Sequence, residues 1–178
     1  MQTDKRYNNT EYLVERFLDD IVRMSFVYVK NLDDAQDIAS SVFVTYLQKK
    51  PEFLNEEHAK NWLFKVAVNL SKNYLRSKRP ILSFDELEGI FSTYDTDYTY
   101  NTDSDEQVLN AVLRLKRPYR EVIHLYYYEG YDTKEIAKML SIPPATVRSR
   151  LARARDAIEK TLKGGNVYEG LQKSNGQN

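Results

Sequence analysis

Four arginines cluster near the end of the sequence, at Arg148, Arg150, Arg153 and Arg155. Guanidinium groups donate paired hydrogen bonds to base edges and phosphates, which is the chemistry of nucleic-acid binding. On a helix, one face here would be apolar and buried, formed by Val147, Leu151, Ala154 and Ile158. The opposite face would carry small side chains at its centre, those of Ala145, Ser149 and Ala152. The backbone could then approach a groove while the arginines reach bases or phosphates.

A second basic stripe is predicted earlier in the chain. Spacings of four, three and four residues place its members on one helical face: Lys65, Asn69, Lys72 and Arg76, with Asn73 beside them. Asparagine offers a donor and an acceptor to a base edge, and the basic groups bind phosphates, so the stripe suits nucleic acid with accessible bases. An ordinary solvated helix face is the alternative.

Residues that would support catalysis or metal binding are scarce. The chain has no cysteine, which excludes thiol nucleophiles, disulfides and cysteine-bound metals. Its two histidines, His58 and His124, form no recognisable catalytic or metal-ligand pattern, and there is no glycine-rich phosphate loop. We therefore expect no cofactor and no metal, and an enzyme is the weaker interpretation.

The net charge of zero conceals a separation of the two signs along the chain. Residues 83–107 carry eight acidic side chains and no base, whereas residues 60–79 carry six bases and no acid. A basic block of this kind suits a polyanionic partner. No apolar run approaches the roughly 18 residues of a spanning helix, so we expect no membrane insertion and a cytoplasmic location.

The apolar periodicity of the chain predicts that both stripes lie on helices. We therefore expect an all-α protein of two small domains. In residues 1–80, apolar periodicity predicts helices over 11–29, from a cap at Asn31 or Asp33 to Pro51, and over about 56–76. The composition of residues 81–104 predicts an acidic linker, with a short helix at 84–91 as the alternative.

The second domain is predicted at residues 105–163, before a polar tail at 164–178. Two helices should divide near Pro118 and close at Gly130, and Thr133 can cap a short helix that reaches Leu140. After a turn at 141–144, a last helix should run from Ala145 to about Leu162. Two helices joined by a brief turn form a helix-turn-helix, whose second helix enters the DNA major groove.

The second domain resembles region four of RNA polymerase sigma factors, on residues 119–130, 133–137 and 146–155. That resemblance implies recognition of the minus-thirty-five promoter element and docking on the polymerase flap. The implied DNA-binding residues are Thr133, Lys134, Ala145, Thr146, Arg148, Ser149, Arg150 and Arg153. Pro143 and Pro144 depart from the small polar residues that are common there, which removes backbone donors from the helix start.

The first domain resembles region two of the extracytoplasmic-function (ECF) subgroup, on residues 33–38, 42–46 and 62–76. The resemblance implies that the second helix binds the clamp helices of core RNA polymerase through Asp34, Asp37, Ser41 and Thr45. It also implies that the minus-ten element is melted and read by Phe53, Lys60, Trp62, Lys65, Asn69, Lys72, Asn73 and Arg76. For Phe53, a buried loop anchor is favoured over a base-stacking ring, and Trp62 suits either a core or a strand-separating position.

Together these resemblances imply an alternative sigma factor, whose partners are core RNA polymerase, promoter DNA and an anti-sigma factor. The acidic linker would lie near the active-site channel of the polymerase. A helix-turn-helix response regulator is the main rival, and it predicts a receiver of alternating strands and helices before residue 80. A helical protein-binding adaptor would explain the helices but not the basic surfaces in both domains.

Overall fold

The structure is a computed structural model that describes residues 5–78 and 103–163. Within these two stretches the chain forms helices and no strand, which confirms the all-α fold class. The α-helices are α1 (Thr10–Val29), α2 (Leu32–Lys49), α3 (Glu56–Ser77), α4 (Asp103–Arg114), α5 (Arg117–Ile123), α6 (Thr133–Leu140) and α7 (Pro144–Leu162). The rival interpretation, a response regulator, requires alternating strands and helices before residue 80, and residues 5–78 contain helices and no strand.

Three asparagines start the first three helices. The side chains of Asn9, Asn31 and Asn55 each accept a hydrogen bond from a backbone N–H in the first turn, at 2.8 to 3.0 Å. Asn31, rather than Asp33, is therefore the cap of α2. The helices α1, α2 and α3 pack against one another around a core that includes Phe17 and Leu63.

The helices α4 to α7 form a second group, and its local details differ from the sequence prediction at three points. Between α5 and α6 the chain makes a π-helical turn, His124–Tyr128, before Gly130 adopts a φ of +76°. Asp132, not Thr133, caps α6, because its carboxylate accepts from the N–H groups of Lys134 and Glu135. The last helix begins at Pro144, one residue earlier than predicted.

The two groups of helices pack directly on each other. The end of α1 contacts α5, and α3 contacts α6, so one continuous hydrophobic core contains residues of both groups. The predicted linker, its alternative helix at 84–91 and the polar tail lie outside the described residues, apart from the linker's last two positions, 103 and 104.

Candidate nucleic-acid interface

The outward face of α7 has the composition that the sequence predicted. Val147, Leu151 and Ala154 are buried, while Arg148 and Arg153 are exposed on the other side of the helix. Ala145 and Ser149 are also exposed between these arginines, and Thr146 is half-buried. The helix axis can therefore come close to a polyanion with two free guanidinium groups beside the point of approach.

The start of α7 lacks the usual anion-binding donors. Pro143 is the N-cap residue and makes no side-chain cap, and Pro144 follows it in the first turn. Proline has no backbone N–H, so the first turn offers fewer donors to a phosphate than a serine-capped helix would. The Ala145 N–H remains, so the start of α7 keeps some capacity to bind an anion through its backbone, but less than a serine-capped helix has.

The start of α6, the helix that precedes α7, is fixed by a reciprocal cap. Asp132 accepts from the first turn of α6, and the Glu135 carboxylate accepts from the N–H of Asp132 at 2.8 Å. Backbone hydrogen bonds from Glu135 and Lys134 lower the pKa of Asp132. Thr133 is half-buried and Lys134 is exposed, so this cap presents the Lys134 ammonium group to solvent.

Arg150 does not extend freely toward solvent, although the sequence predicts it as a DNA-binding residue. Its Nη1 lies 3.1 Å from Oε1 of Glu121, whose side chain is only 6% exposed. The other oxygen of Glu121 accepts a hydrogen bond from the phenol of Tyr28, at 2.7 Å. Burial raises the pKa of Tyr28, and the neighbouring Glu121 charge raises it further. Sequence reasoning missed both Glu121 and Tyr28.

Most of the basic stripe on α3 is accessible as predicted. Lys65, Asn69, Asn73 and Arg76 are all exposed. Lys72 differs because it is half-buried. Burial lowers its pKa, and the Glu121 charge opposes that effect only in part. The accessible stripe is therefore narrower than the sequence predicted.

Lys60 is held away from the stripe in this structure. Its Nζ lies 3.0 Å from Oε2 of Glu129 and donates to the Glu129 carbonyl at 3.2 Å. The same ammonium group lies 5.3 Å from the ring centroids of both Phe64 and Tyr131. In this conformation the ammonium group of Lys60 is paired with the Glu129 carboxylate of the second group of helices, and the assignment of Lys60 to the melted element stays a prediction.

The ring of Phe53 is buried in this structure, so it is not accessible for stacking on a base. Its ring is 0% exposed and stacks on Tyr46 with centroids 5.9 Å apart. Its backbone N–H donates to Oδ1 of Asn8 at 2.7 Å, which ties the loop to the N-terminal turn. Trp62 is half-buried against the same ring, at 5.8 Å. In this structure Phe53 is a buried loop anchor, which is the interpretation that the sequence favoured. A base-stacking role for Phe53 does not fit this position.

The predicted polymerase-binding residues lie along α2. Asp37 and Ser41 are exposed, whereas Asp34 and Thr45 are half-buried. The hydroxyls of Ser41 and Thr45 donate to backbone carbonyls one turn earlier, at 2.9 and 2.8 Å. Two apolar side chains on this helix, Val44 and Leu47, are each 51% exposed, so the periodicity that predicts Leu47 in the buried stripe is wrong for that residue. The exposed part of α2 is thus apolar as well as polar.

Other kinds of site find no support in the part of the chain that the structure describes. No group of three or more His, Asp or Glu side chains is placed to hold a metal ion there. No helix in the same residues is long and apolar enough to cross a membrane. The features that remain are a helix-turn-helix with an exposed basic helix and a second basic helix, which define a helical DNA-binding protein.

Comparisons with known proteins agree with this class. The family profile "Sigma-70 region 2" matches residues 13–81, and "Sigma-70, region 4" matches residues 105–158. The sigma factor SigV of Bacillus subtilis is 32% identical over 136 residues, covering 76% of this chain and 80% of SigV. The ECF sigma-E factor of Haemophilus influenzae is 30% identical over 173 residues, covering 90% of each protein.

Two solved structures share the fold. The Bartonella quintana sigma factor RpoE, solved with the anti-sigma factor NepR, superposes with a TM-score of 0.68 and 19% identity, covering 86% of this chain and 96% of RpoE. CnrH, solved with the cytosolic domain of CnrY, gives a TM-score of 0.62 at 19% identity, covering 93% of this chain and all of CnrH. The chain belongs to the ECF subgroup of RNA polymerase sigma factors. It is an alternative sigma factor that directs transcription initiation at particular promoters.

Proposed function

We propose that the two basic helices of the chain bind different elements of one promoter while α2 binds core RNA polymerase. In this proposal, region two comprises residues 1–80, an acidic linker residues 81–104, region four residues 105–163, and a polar tail residues 164–178. The helix α7 reads the minus-thirty-five element, and α3 reads the melted minus-ten element. The observation that carries the proposal is the exposure of Arg148 and Arg153 opposite the buried Val147 and Leu151.

For the upstream element, the contacts come from two places. The side chains on α7 are Ala145, Thr146, Arg148, Ser149, Arg150 and Arg153, and those at the start of α6 are Thr133 and Lys134. Arginine pairs with guanine edges or phosphates, and the small residues permit close approach. Because Pro143 and Pro144 remove two backbone donors at the start of α7, phosphate binding here relies more on Lys134 and the arginines.

For the melted element, the accessible part of α3 supplies the contacts. Asn69 and Asn73 present amides to unpaired bases, and Lys65 and Arg76 neutralise phosphates. Trp62 lies half-buried at the start of the helix, where an indole edge can separate strands. Lys60 can bind DNA only after its ion pair with Glu129 breaks, and Lys72 only after its half-buried ammonium group becomes exposed.

For the polymerase, α2 presents Asp34, Asp37, Ser41 and Thr45 to the clamp helices, and α4 to α7 dock on the flap. Val44 and Leu47 add exposed apolar area to the α2 surface, which suits a protein partner better than a nucleic acid. RpoE and CnrH were each solved with a protein partner, NepR being an anti-sigma factor. We propose that an anti-sigma factor also binds this chain.

All catalysis in this proposal belongs to the polymerase, so the chain acts as a non-enzymatic subunit in the cytoplasm. Run-off transcription with purified core polymerase, with and without this chain, tests the proposal. Promoter fragments selected from random-sequence DNA by the complex would serve as templates. We expect defined transcripts only when the chain is present. If the chain neither joined the polymerase nor changed the start sites, the proposal would be wrong.

A further inference from the structure

The loop between α2 and α3 is fixed by a residue that precedes the first α-helix. Asn8 ends the short 3₁₀ turn Lys5–Asn8. Its Oδ1 accepts a hydrogen bond from the N–H of Phe53 at 2.7 Å, and its Nδ2 donates to the carbonyl of Phe53 at 3.2 Å. One side-chain amide therefore satisfies both backbone groups of a loop residue 45 positions away.

Three aromatic rings meet beside this loop, one from each of three elements. Tyr46 of α2 stacks on Phe53 of the loop, with centroids 5.9 Å apart. Trp62 of α3 lies 5.8 Å from the Phe53 ring and 6.3 Å from the Tyr46 ring. Each ring therefore contacts the other two, at separations where aromatic pairs attract one another. The angle of the Trp62 ring consequently depends on where Phe53 is held.

Asn8 is bonded to two of these three residues. Besides the two hydrogen bonds to the backbone of Phe53, its carbonyl accepts a hydrogen bond from the phenol of Tyr46 at 2.9 Å. All three bonds are partly buried, and a buried polar group that loses its partner costs more than a solvated one. The turn before α1 therefore fixes the geometry of a ring cluster that is built by α2, the loop and α3.

Trp62 is the member of this cluster that can reach DNA. It is half-buried in the first half of α3, the helix that also carries the exposed Lys65 and Asn69. An apolar ring that is packed on one side and accessible on the other can act as a wedge between bases. A ring that is already fixed at one angle loses less conformational entropy when it meets the bases. The packing that fixes Trp62 therefore bears directly on how well it separates two strands.

We propose that Asn8 is a positioning residue for promoter opening: it holds Phe53, and through Phe53 it sets the angle at which Trp62 separates the strands. Asn8 itself contacts no DNA. The turn before α1 thus belongs, in function, to the surface that α3 presents to the melted element. The inference rests on the proposed assignment of Trp62 to that element, and the contacts that join Asn8 to the ring cluster are independent of it.

The link from Asn8 to Trp62 is tested by fluorescence, because Trp62 is the only tryptophan in the chain. Asn8→Ala removes both side-chain bonds to the loop, so we expect the emission of the free, full-length chain to shift to longer wavelength as water reaches the indole. Asn9→Ala is the matched control, since this neighbouring asparagine caps α1 through the N–H of Tyr12. Its emission should equal that of the parent chain. Parent-like emission from Asn8→Ala would overturn the link.

The consequence for promoter opening is measured with the complex of core polymerase and full-length chain, on two templates. On a duplex promoter we expect Asn8→Ala to lower the open-complex yield by about fivefold, the factor that corresponds to one lost hydrogen bond. On a template whose minus-ten region is already unpaired, the yield should recover, because the strands no longer have to be separated. Asn9→Ala should match the parent chain on both templates. A parent-like yield from Asn8→Ala on the duplex, or an equal defect on both templates, would overturn the positioning role.

A double variant separates positioning from a general loss of stability. If Asn8 acts through Trp62, adding Asn8→Ala to Trp62→Ala should lower the duplex yield little further, whereas independent effects would multiply and overturn the proposal. If circular dichroism shows that Asn8→Ala folds poorly, Tyr46→Phe replaces it, because that change keeps the ring and removes only the bond to Asn8. A parent chain that opens no promoter would contradict the proposed function, whereas equal opening by the parent and the variant would contradict this inference alone.

Discussion

The phenol of Tyr28 donates a 2.7 Å hydrogen bond to the carboxylate of Glu121, 93 positions later in the chain. Both groups are buried, and the second carboxylate oxygen is paired with Arg150 of α7. The first helix of the protein is therefore connected to its proposed DNA-reading helix through one side chain. A change at Tyr28 can reach α7 without touching it.

Replacing Tyr28 with phenylalanine should destabilise the protein. The change leaves one oxygen of a buried carboxylate without its donor, which costs about 1–3 kcal/mol. Urea unfolding followed by circular dichroism measures the loss. Tyr127→Phe is the control, because the Tyr127 ring is 54% exposed and its loss should stay within about 0.5 kcal/mol. Equal losses for the two variants would contradict the buried contact.

Replacing Arg148 with alanine should weaken DNA binding and make it less sensitive to salt. If Arg148 neutralises a phosphate, its loss reduces the salt slope by about one, and if it reads a guanine, the cost is about 1–3 kcal/mol at that base pair. Fluorescence anisotropy with selected promoter duplexes at several salt concentrations distinguishes these outcomes. Lys160→Ala, a basic residue at the far end of α7 that pairs with Asp156, should bind like the parent chain. An unchanged affinity and slope for Arg148→Ala would refute its assignment.

Replacing Asn73 with alanine should reduce recognition of melted promoter DNA, and Asn69→Ala should act in the same way. An amide that reads an unpaired base is needed even when the strands are already separated, so the defect should persist on a template with a pre-opened minus-ten region. Open-complex yield on duplex and pre-opened templates measures it. Ser77→Ala, at the end of the same helix, serves as the control. A defect that vanished on the pre-opened template would assign the asparagines to strand separation instead of base recognition.

Lys30 should make the stability depend on pH. Burial lowers the pKa of Lys30 to about 7, with the Arg120 charge adding to the effect, against 10.5 in the unfolded chain. The unfolded chain therefore keeps a proton that the folded chain releases between pH 7 and 10.5. The penalty for charging Lys30 is complete below the folded pKa and disappears as the pH rises through that window.

The variant Lys30→Met removes this penalty, so it should gain stability near pH 6 and little near pH 10. Urea unfolding across that range measures the difference. Lys50→Met is a matched control, because Lys50 also ends a helix with a positive φ but is exposed. A parallel pH dependence for Lys30→Met and the parent chain would show that Lys30 titrates normally.

Much of this architecture is determined by the sequence alone. Periodic apolar residues such as Val147, Leu151 and Ala154 define which side of α7 is buried, because a helix repeats every 3.6 residues. The same geometry decides that Arg148 and Arg153 face outward. Asn31 and Pro118 mark helix starts for equally local reasons, and most predicted helices lie within a residue or two of those observed, but the helix predicted to close at Gly130 ends as an α-helix at Ile123 and continues as the π-helical turn.

Only the tertiary structure decided which charges are free. Lys60 and Lys65 look alike in the sequence, yet one is paired with Glu129 and the other is exposed. Arg150 and Arg153 differ in the same way, because Glu121 binds only the first. These pairings join residues that are 69 and 29 positions apart. Helical periodicity relates residues within a few turns, so it carries no information about which distant helix will pack against a given face.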